Sequence, residues 1–549
     1  MTAPKTHSRE HSRIRSMAEF ERLYRESLDE PEEFWRRQAE LLTWYYPPQN
    51  ILDVDMKEGD VSWFGGGILN ACANCVDRHM TTQGDKTAII WAADEPGMYQ
   101  HISYRELKHQ VARVANVLLA HGVRGGDRVA IYLPMIPELA YSMLACARIG
   151  AVHSVVFAGF SADALRERVL DAGCKVLITA NEGLHGGRPV GLKPTVDQAI
   201  AGLGSVETVL VARRTESDVN MVAGRDFWLA EEMDRERSTC PAEWMHSESP
   251  LFILYTSGST GRPKGVLHTT AGYLLYAALT HRTVFDLRPD DVHFCTADIG
   301  WIIGHSYVLY GPLANGATTV MFESPPTHPD PGRYWRIVED LGVSIFYTSP
   351  TAMRALAQSG NDWVEKYDRR SLRVLGSVGE PINQEIWQWL HDVVGEERCS
   401  VVDTWWLTET GGILISPLAG LTPAKPGSAA LPFFGVEPMI VDDEGAALEE
   451  PDVGGNLCIQ RPWPGQARTI WGDHSRFRNT YFSRFPGLYF TGDGCRRDED
   501  GHYWITGRVD DVLNVSGNRL GTAEIESALV AHDAVVEAAV VGYPHDIKG

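Results

Sequence analysis

Two rhythms of apolar residues run along the chain. Over residues 17–45 the spacing is helical, with Phe20, Leu23, Tyr24 and Leu28 on one face. Pro31 followed by Phe34, Trp35 and Ala39 predicts a second helix with proline in its first turn, ended by Tyr45, Tyr46, Pro47 and Pro48. From about 100 to 405 short apolar runs alternate with amphipathic stretches. A strand over 128–133 precedes a helix over 137–149. A strand over 151–157 precedes a helix over 161–172, with Ser161 placed to cap it. Further strands are predicted at 175–179, 207–212, 251–255, 317–322, 344–347, 372–376 and 400–403. This alternation predicts an α/β fold of mostly parallel sheets covered by helices. Residues 425–508 are richer in Gly, Pro and short strands, which predicts a β-rich subdomain. The Pro-rich piece 324–332 reads as a surface loop. Beyond Asp510 and Asp511 a new helix is expected.

Composition narrows the function classes. The chain has 549 residues, enough for several domains, and 44% are hydrophobic, so large cores are within reach. Lys plus Arg is 50 against 72 for Asp plus Glu, a formal charge of −22. That argues against general binding of nucleic acid or of an anionic membrane. The longest apolar stretch, 139–160, contains Arg148 and His153 and reads as a buried helix followed by a strand. Residues 1–16 are basic and polar without an apolar segment, which reads as a disordered tail. The nine cysteines show no framework spacing, as in a reduced cytoplasmic protein. Cys72 and Cys75 lack the second pair that a zinc site needs and read as ordinary thiols.

The segment 251–270, LFILYTSGSTGRPKGVLHTT, carries the first chemistry. An apolar strand runs into Thr256, Ser257, Gly258, Ser259, Thr260 and Gly261, and Lys264 follows. Backbone N–H groups bared by glycine, several hydroxyls and one cation form a cradle for phosphate oxygens. The ordinary P-loop needs a Gly-Lys pair before a helix, and Pro263 precedes Lys264 here.

YTSGSTGRPKGVLH resembles the phosphate-loop signature of the adenylate-forming superfamily. TADIGWIIGHSYVLYGPL (296–313), GSVGEPIN (376–383), DTWWLTETGG (403–412), KPGSAALPFFGVE (425–437) and the stretch 489–529 resemble the AMP-forming acetyl-CoA synthetase family, as do the N-terminal helices. The resemblance covers about 17–549. It implies a disordered tail (1–16), an N-terminal helical region (17–78), a large adenylation domain (79–509), and a hinge with part of a small α+β C-terminal domain (510–549). It implies ATP-dependent activation of acetate as acetyl-AMP, transfer to CoA, and a requirement for Mg²⁺. Such chemistry needs a neutralised polyphosphate, a gripped nucleoside and an anhydride hidden from water.

Residue by residue, the resemblance implies that Lys264 and the loop hydroxyls hold the β- and γ-phosphates. Thr408 would contact the α-phosphate and Glu409 would ligate Mg²⁺, a hard cation suited to oxygen. Asp493 would accept from both ribose hydroxyls, beside Arg508; a purely structural ion pair between these two is the alternative. Gly379, Glu380 and Pro381 would wall the adenine, and Asp403, with Thr404 and Trp405 alongside, would face its amino group. Trp406 would close the acyl pocket behind two carbons, with Val378, Ile302 and Ile303 lining the rest. Two isoleucines stand where the family usually has Val-Thr, and Leu407 replaces a usual Gln. His185, Gly186, Gly187 and Arg188 would meet the nucleotide end of CoA, with His185 in place of a second arginine. Ser516 would touch CoA and Arg519 an ATP phosphate. Asp510 matches a hinge, and Val530, His532 and Val535 match a family cation site.

The sequence ends at Gly549, ahead of the family's P-K-[ST]-x-S-G-K segment, whose last lysine stabilises developing charge. Without such a contact the expected rate loss is roughly 10²–10³. Small-molecule substrates, with no nucleic acid or membrane partner, are expected in the cytoplasm, for a monomer or a homo-oligomer. Propionate is the alternative acid. A non-catalytic protein that binds nucleotide or acyl-adenylate is the alternative of a different class.

Overall fold

The computed structural model describes residues 14–256, 263–509, 512–515, 518–521, 529, 535 and 538–541. Met17–Asp29 is a helix capped by Ser16, whose side chain accepts from the Glu19 amide. Pro31–Ala39 is the second helix, with proline in its first turn. It stops at Ala39 rather than running to the tyrosine–proline run. The Glu40, Leu41 and Leu42 amides bond back to residues 37–39, tightening the end, and Tyr45 and Tyr46 instead bond to Ile68. Trp35 is fully buried, edge-on to Trp63, with Tyr276 tilted alongside.

Among the described residues two large sheets dominate. One has eight strands in the order Asp226–Trp228, Thr208–Ala212, Val176–Ala180, Arg128–Tyr132, Val152–Val155, Pro250–Thr256, Lys264–Thr269, Thr469–Ile470. It is parallel except at its last two pairings, where Lys264–Thr269 runs antiparallel to both neighbours. The other has seven strands in the order Ser400–Asp403, Val374–Ser377, Ile345–Thr348, Val292–Cys295, Thr318–Phe322, Thr87–Ala92, Tyr99–Ser103, with only the last pairing antiparallel. Nearly every residue of their central strands is buried, as expected for strands covered on both faces. The helix Pro137–Arg148 is buried except at Glu138, and Arg148 pays for its burial by pairing with Asp77 at 2.7 Å.

Pro438–Val441, Gly455–Ile459, Tyr489–Arg497 and Tyr503–Arg508 form a four-stranded antiparallel sheet, the expected β-rich part. Beyond it the chain does not pass directly into a helix: Val512–Val515 and Asn518–Gly521 pair as an antiparallel hairpin. All nine cysteines are free and buried. Among the described residues no helix is long and apolar enough to cross a membrane.

The N-terminal helices are keyed to the body at one glycine. The Gly435 amide donates to Ser27 Oγ at 2.7 Å, and Tyr24 donates to the Val436 carbonyl at 2.8 Å. Gly435 has φ +74°, and a Cβ there would lie 2.8 Å from the Trp35 ring. Gly435→Ala should therefore destabilise the protein by about 1–3 kcal/mol, read as a lower urea midpoint. An unchanged midpoint would show that this joint is not close-packed.

Candidate active site

Strands of the seven-stranded sheet end on a common edge, and the segments that follow them form one side of the candidate site. Val374–Ser377 runs into Val378 and Gly379. Ser400–Asp403, in register with it (Ser377 opposite Asp403), runs into Thr404, Trp405 and Trp406. Trp406 is held on two sides: its Nε1 donates to the Tyr347 hydroxyl at 3.2 Å, and the Tyr307 ring meets it edge-on at 5.1 Å. Tyr347 Oη lies 2.6 Å from Thr404 Oγ1, and Thr404 donates to the Ser377 carbonyl at 2.8 Å, so the Thr404 hydroxyl is engaged inside the wall. Val378 and Ile302 are buried and Ile303 half-buried. Gly379 has φ +97°, and a Cβ on it would sit 3.7 Å from Ile303 Cδ1. Glu380 turns away to Arg354 at 3.0 Å, while Pro381 is exposed. Burial pushes the Asp403 carboxyl up to about 7.

The opposite side is built on the hairpin of the eight-stranded sheet. Thr256 and Lys264 face each other across its base. Ser257, Gly258, Ser259, Thr260 and Gly261 lie outside the described residues. Lys264 Nζ donates to the Tyr481 hydroxyl at 3.0 Å and stands 3.7 Å from Glu409 Oε1, to which Tyr481 also donates. Glu409 is carried by the tight turn Thr408–Thr410. That turn is tied down by His268 Nε2 to the Thr408 carbonyl at 2.8 Å and by Trp463 Nε1 to the Thr410 carbonyl at 2.8 Å. Gly411 closes it at φ +70°, where a Cβ would meet the Gly465 carbonyl at 2.3 Å.

The four-stranded sheet supplies the third side. Asp493, only 4% exposed, accepts from Trp405 Nε1 at 2.9 Å and from Arg508 Nη1 at 3.4 Å. Arg508 lies across Gly492 (φ +79°), where any Cβ would stand 2.6 Å from its guanidinium. Burial raises the Asp493 carboxyl to about 6, against the pull of Arg508. Trp405 thus bridges two sheets, Lys264 pairs with Glu409, and Asp493 is bonded next to Trp406 in sequence.

Away from it, the strands Glu182–His185 and Arg188–Gly191 form a hairpin whose tip is Gly186 (φ +62°) and Gly187 (φ +75°). Both tip amides donate to the buried Asp94, at 2.8 and 2.6 Å, while His185 and Arg188 are exposed. Asp510, Ser516, Val530 and His532 lie outside the described residues. Arg519 falls in the strand Asn518–Gly521, and Val535 is half-buried. Among the described residues no group of three or more His, Cys, Asp or Glu side chains could hold a metal ion. Tyr347, Tyr481 and Asp94 escaped the reading of the sequence. Each sits in an unremarkable run, and its part is set by long-range packing.

Family models match the chain along most of its length. The AMP-binding enzyme model matches residues 76–471, the acetyl-coenzyme A synthetase N-terminus 20–75, and the AMP-binding enzyme C-terminal domain 524–549. The chain belongs to the AMP-binding enzyme family, in its acetyl-CoA synthetase branch. The acetyl-coenzyme A synthetase of Bradyrhizobium diazoefficiens is 59% identical over 97% of this chain and 82% of its own length. That of Halorhodospira halophila is 59% identical and acetyl-coenzyme A synthetase 2 of Pseudomonas aeruginosa 58%, with the same shares covered.

The raised Asp493 carboxyl makes a stability prediction. Its folded-state pKa lies above the ordinary 3.8, so its contribution is full below about pH 4 and lost as pH rises through about 6. Asp493→Asn should therefore gain urea midpoint relative to the parent as pH goes from about 4 to about 7 in the absence of nucleotide. A difference that does not change with pH would contradict the buried, weakened acid.

Proposed function

We propose that this protein activates acetate with ATP, giving acetyl-AMP and pyrophosphate, and passes the acetyl group to CoA with release of AMP. The observation that supports the reading is convergence: a cation at the base of a glycine-rich hairpin pairs with the buried Glu409, and the buried Asp493 bonds to Trp405, next to Trp406 and after the buried Asp403. Carboxylate oxygen attacks the α-phosphorus and pyrophosphate leaves. The CoA thiol then attacks the acetyl carbonyl and AMP leaves with the bonding electrons.

In this reading Lys264, with Thr256 and the hydroxyls that follow it, holds the β- and γ-phosphates. Thr408 contacts the α-phosphate. Asp493 receives the ribose hydroxyls, held ready by Trp405 and Arg508. Asp403 faces the adenine amino group, and Gly379, Glu380 and Pro381 supply the base's wall through their backbone. Glu409 is an oxygen donor, which suits Mg²⁺. When bound, that ion neutralises polyphosphate charge. The His185–Arg188 hairpin receives the phosphorylated end of CoA, and Ser516 and Arg519 join from beyond Asp510, the hinge. The division into 17–78, 79–509 and 510–549 and the cation site at Val530, His532 and Val535 are part of the same reading. The nine free, buried thiols support a reducing, cytoplasmic setting, and the charge of −22 supports small-molecule rather than nucleic-acid partners.

Two measurements test this. Calorimetry should detect MgATP binding, and AMP formation should depend on acetate and CoA; absence of nucleotide binding by folded protein would end the proposal, and faster use of propionate would shift the acid assignment. The acyl corner is tested by binding of the sulfamate analogues of acetyl- and butyryl-AMP. The parent should prefer the acetyl form. Trp406→Gly should shift the preference toward butyryl by at least about tenfold, because two methylenes gain room. An unshifted ratio would remove Trp406 from acid selection.

A further inference from the structure

Tyr481 lies in the helix His474–Tyr481, whose sequence HSRFRNTY carries no motif. Its phenol is nevertheless buried in the site, with its ring stacked on Tyr489 at 5.4 Å and 9° between planes. The hydroxyl accepts from Lys264 Nζ at 3.0 Å and donates to Glu409 Oε1. Lys264 Nζ also lies 5.2 Å from the ring centroid. Packing alone asks only for a flat aromatic ring, which phenylalanine supplies. The hydroxyl adds something packing does not need: one atom that satisfies a cation and a carboxylate together.

We infer that Tyr481 is a polyphosphate-positioning residue. This rests on the ATP reading of the site. With no nucleotide bound, the phenol bonds to both Lys264 and Glu409 and so reinforces their own 3.7 Å ion pair in a low-dielectric site. When the β- and γ-phosphates arrive, Lys264 turns to them, Glu409 is released toward the divalent ion, and the Tyr481 O–H, still fixed by its stack on Tyr489, donates to a phosphate oxygen. No bond is made or broken in this exchange; hydrogen bonds change partners.

Calorimetry on the full chain, with MgATP and with AMP as separate probes, tests the inference. AMP shares the nucleoside and α-phosphate but lacks the two phosphates that the hydroxyl is held to serve. Tyr481→Phe keeps the ring stack and should weaken MgATP about tenfold or more, the scale of one hydrogen bond to a charged group. AMP affinity should stay within about twofold. Unchanged MgATP affinity would overturn the inference alone, leaving the ATP reading intact. Equal loss for both nucleotides would overturn it too, because it would mean a merely structural ring. If the parent binds neither probe, the ATP reading falls and this inference falls with it.

Discussion

A charge taken out of water must find a partner, and two of the site's three buried carboxylates, Glu409 and Asp493, find theirs across different parts of the chain. Glu409 lies in a turn after the edge strand of the seven-stranded sheet; Asp493 lies in the four-stranded sheet. For each, at least one partner comes from another sheet or the segment after it. Glu409 is met by Tyr481 and by Lys264 of the eight-stranded sheet, and Asp493 by Trp405 and Arg508. Satisfying two acids therefore fixes three sheets against one another. Removing both partners of either acid would leave an unpaired charge in low dielectric, a penalty larger than the loss of an ordinary contact.

Much of this was legible in the sequence. The run 128–180 shows why: Arg128–Tyr132, Pro137–Arg148, Val152–Val155, Ala162–Ala172 and Val176–Ala180 each bury a continuous or one-sided apolar set, and burial imposes a period that the chain displays. Ser161 caps its helix as its hydroxyl and position require. The misreadings sit where local signals compete. The Tyr45–Pro48 run looked like the end of a helix that had closed at Ala39. Past Asp511, the strands Val512–Val515 and Asn518–Gly521 pair where a helix was expected.

In the site, short motifs exposed Lys264, Glu409 and Asp493 because their chemistry is concentrated in a few neighbouring residues. Tyr347, Tyr481 and Asp94 act across separations of 57, 72 and 92 residues in the bonds they make. No local pattern announces a hydroxyl whose partner is that far along the chain. The Asp493–Arg508 pair is intermediate: fifteen residues apart, it is brought into register by two adjacent antiparallel strands.

The grip of Asp94 on the Gly186–Gly187 tip has a mechanical consequence. Asp94 follows the strand Thr87–Ala92 of one large sheet, whereas the hairpin grows from the end of Val176–Ala180 in the other. A loop attached to one layer is thus clamped by a carboxylate from the next. The loop tip is therefore anchored, through two short bonds, to the sheet that does not carry it.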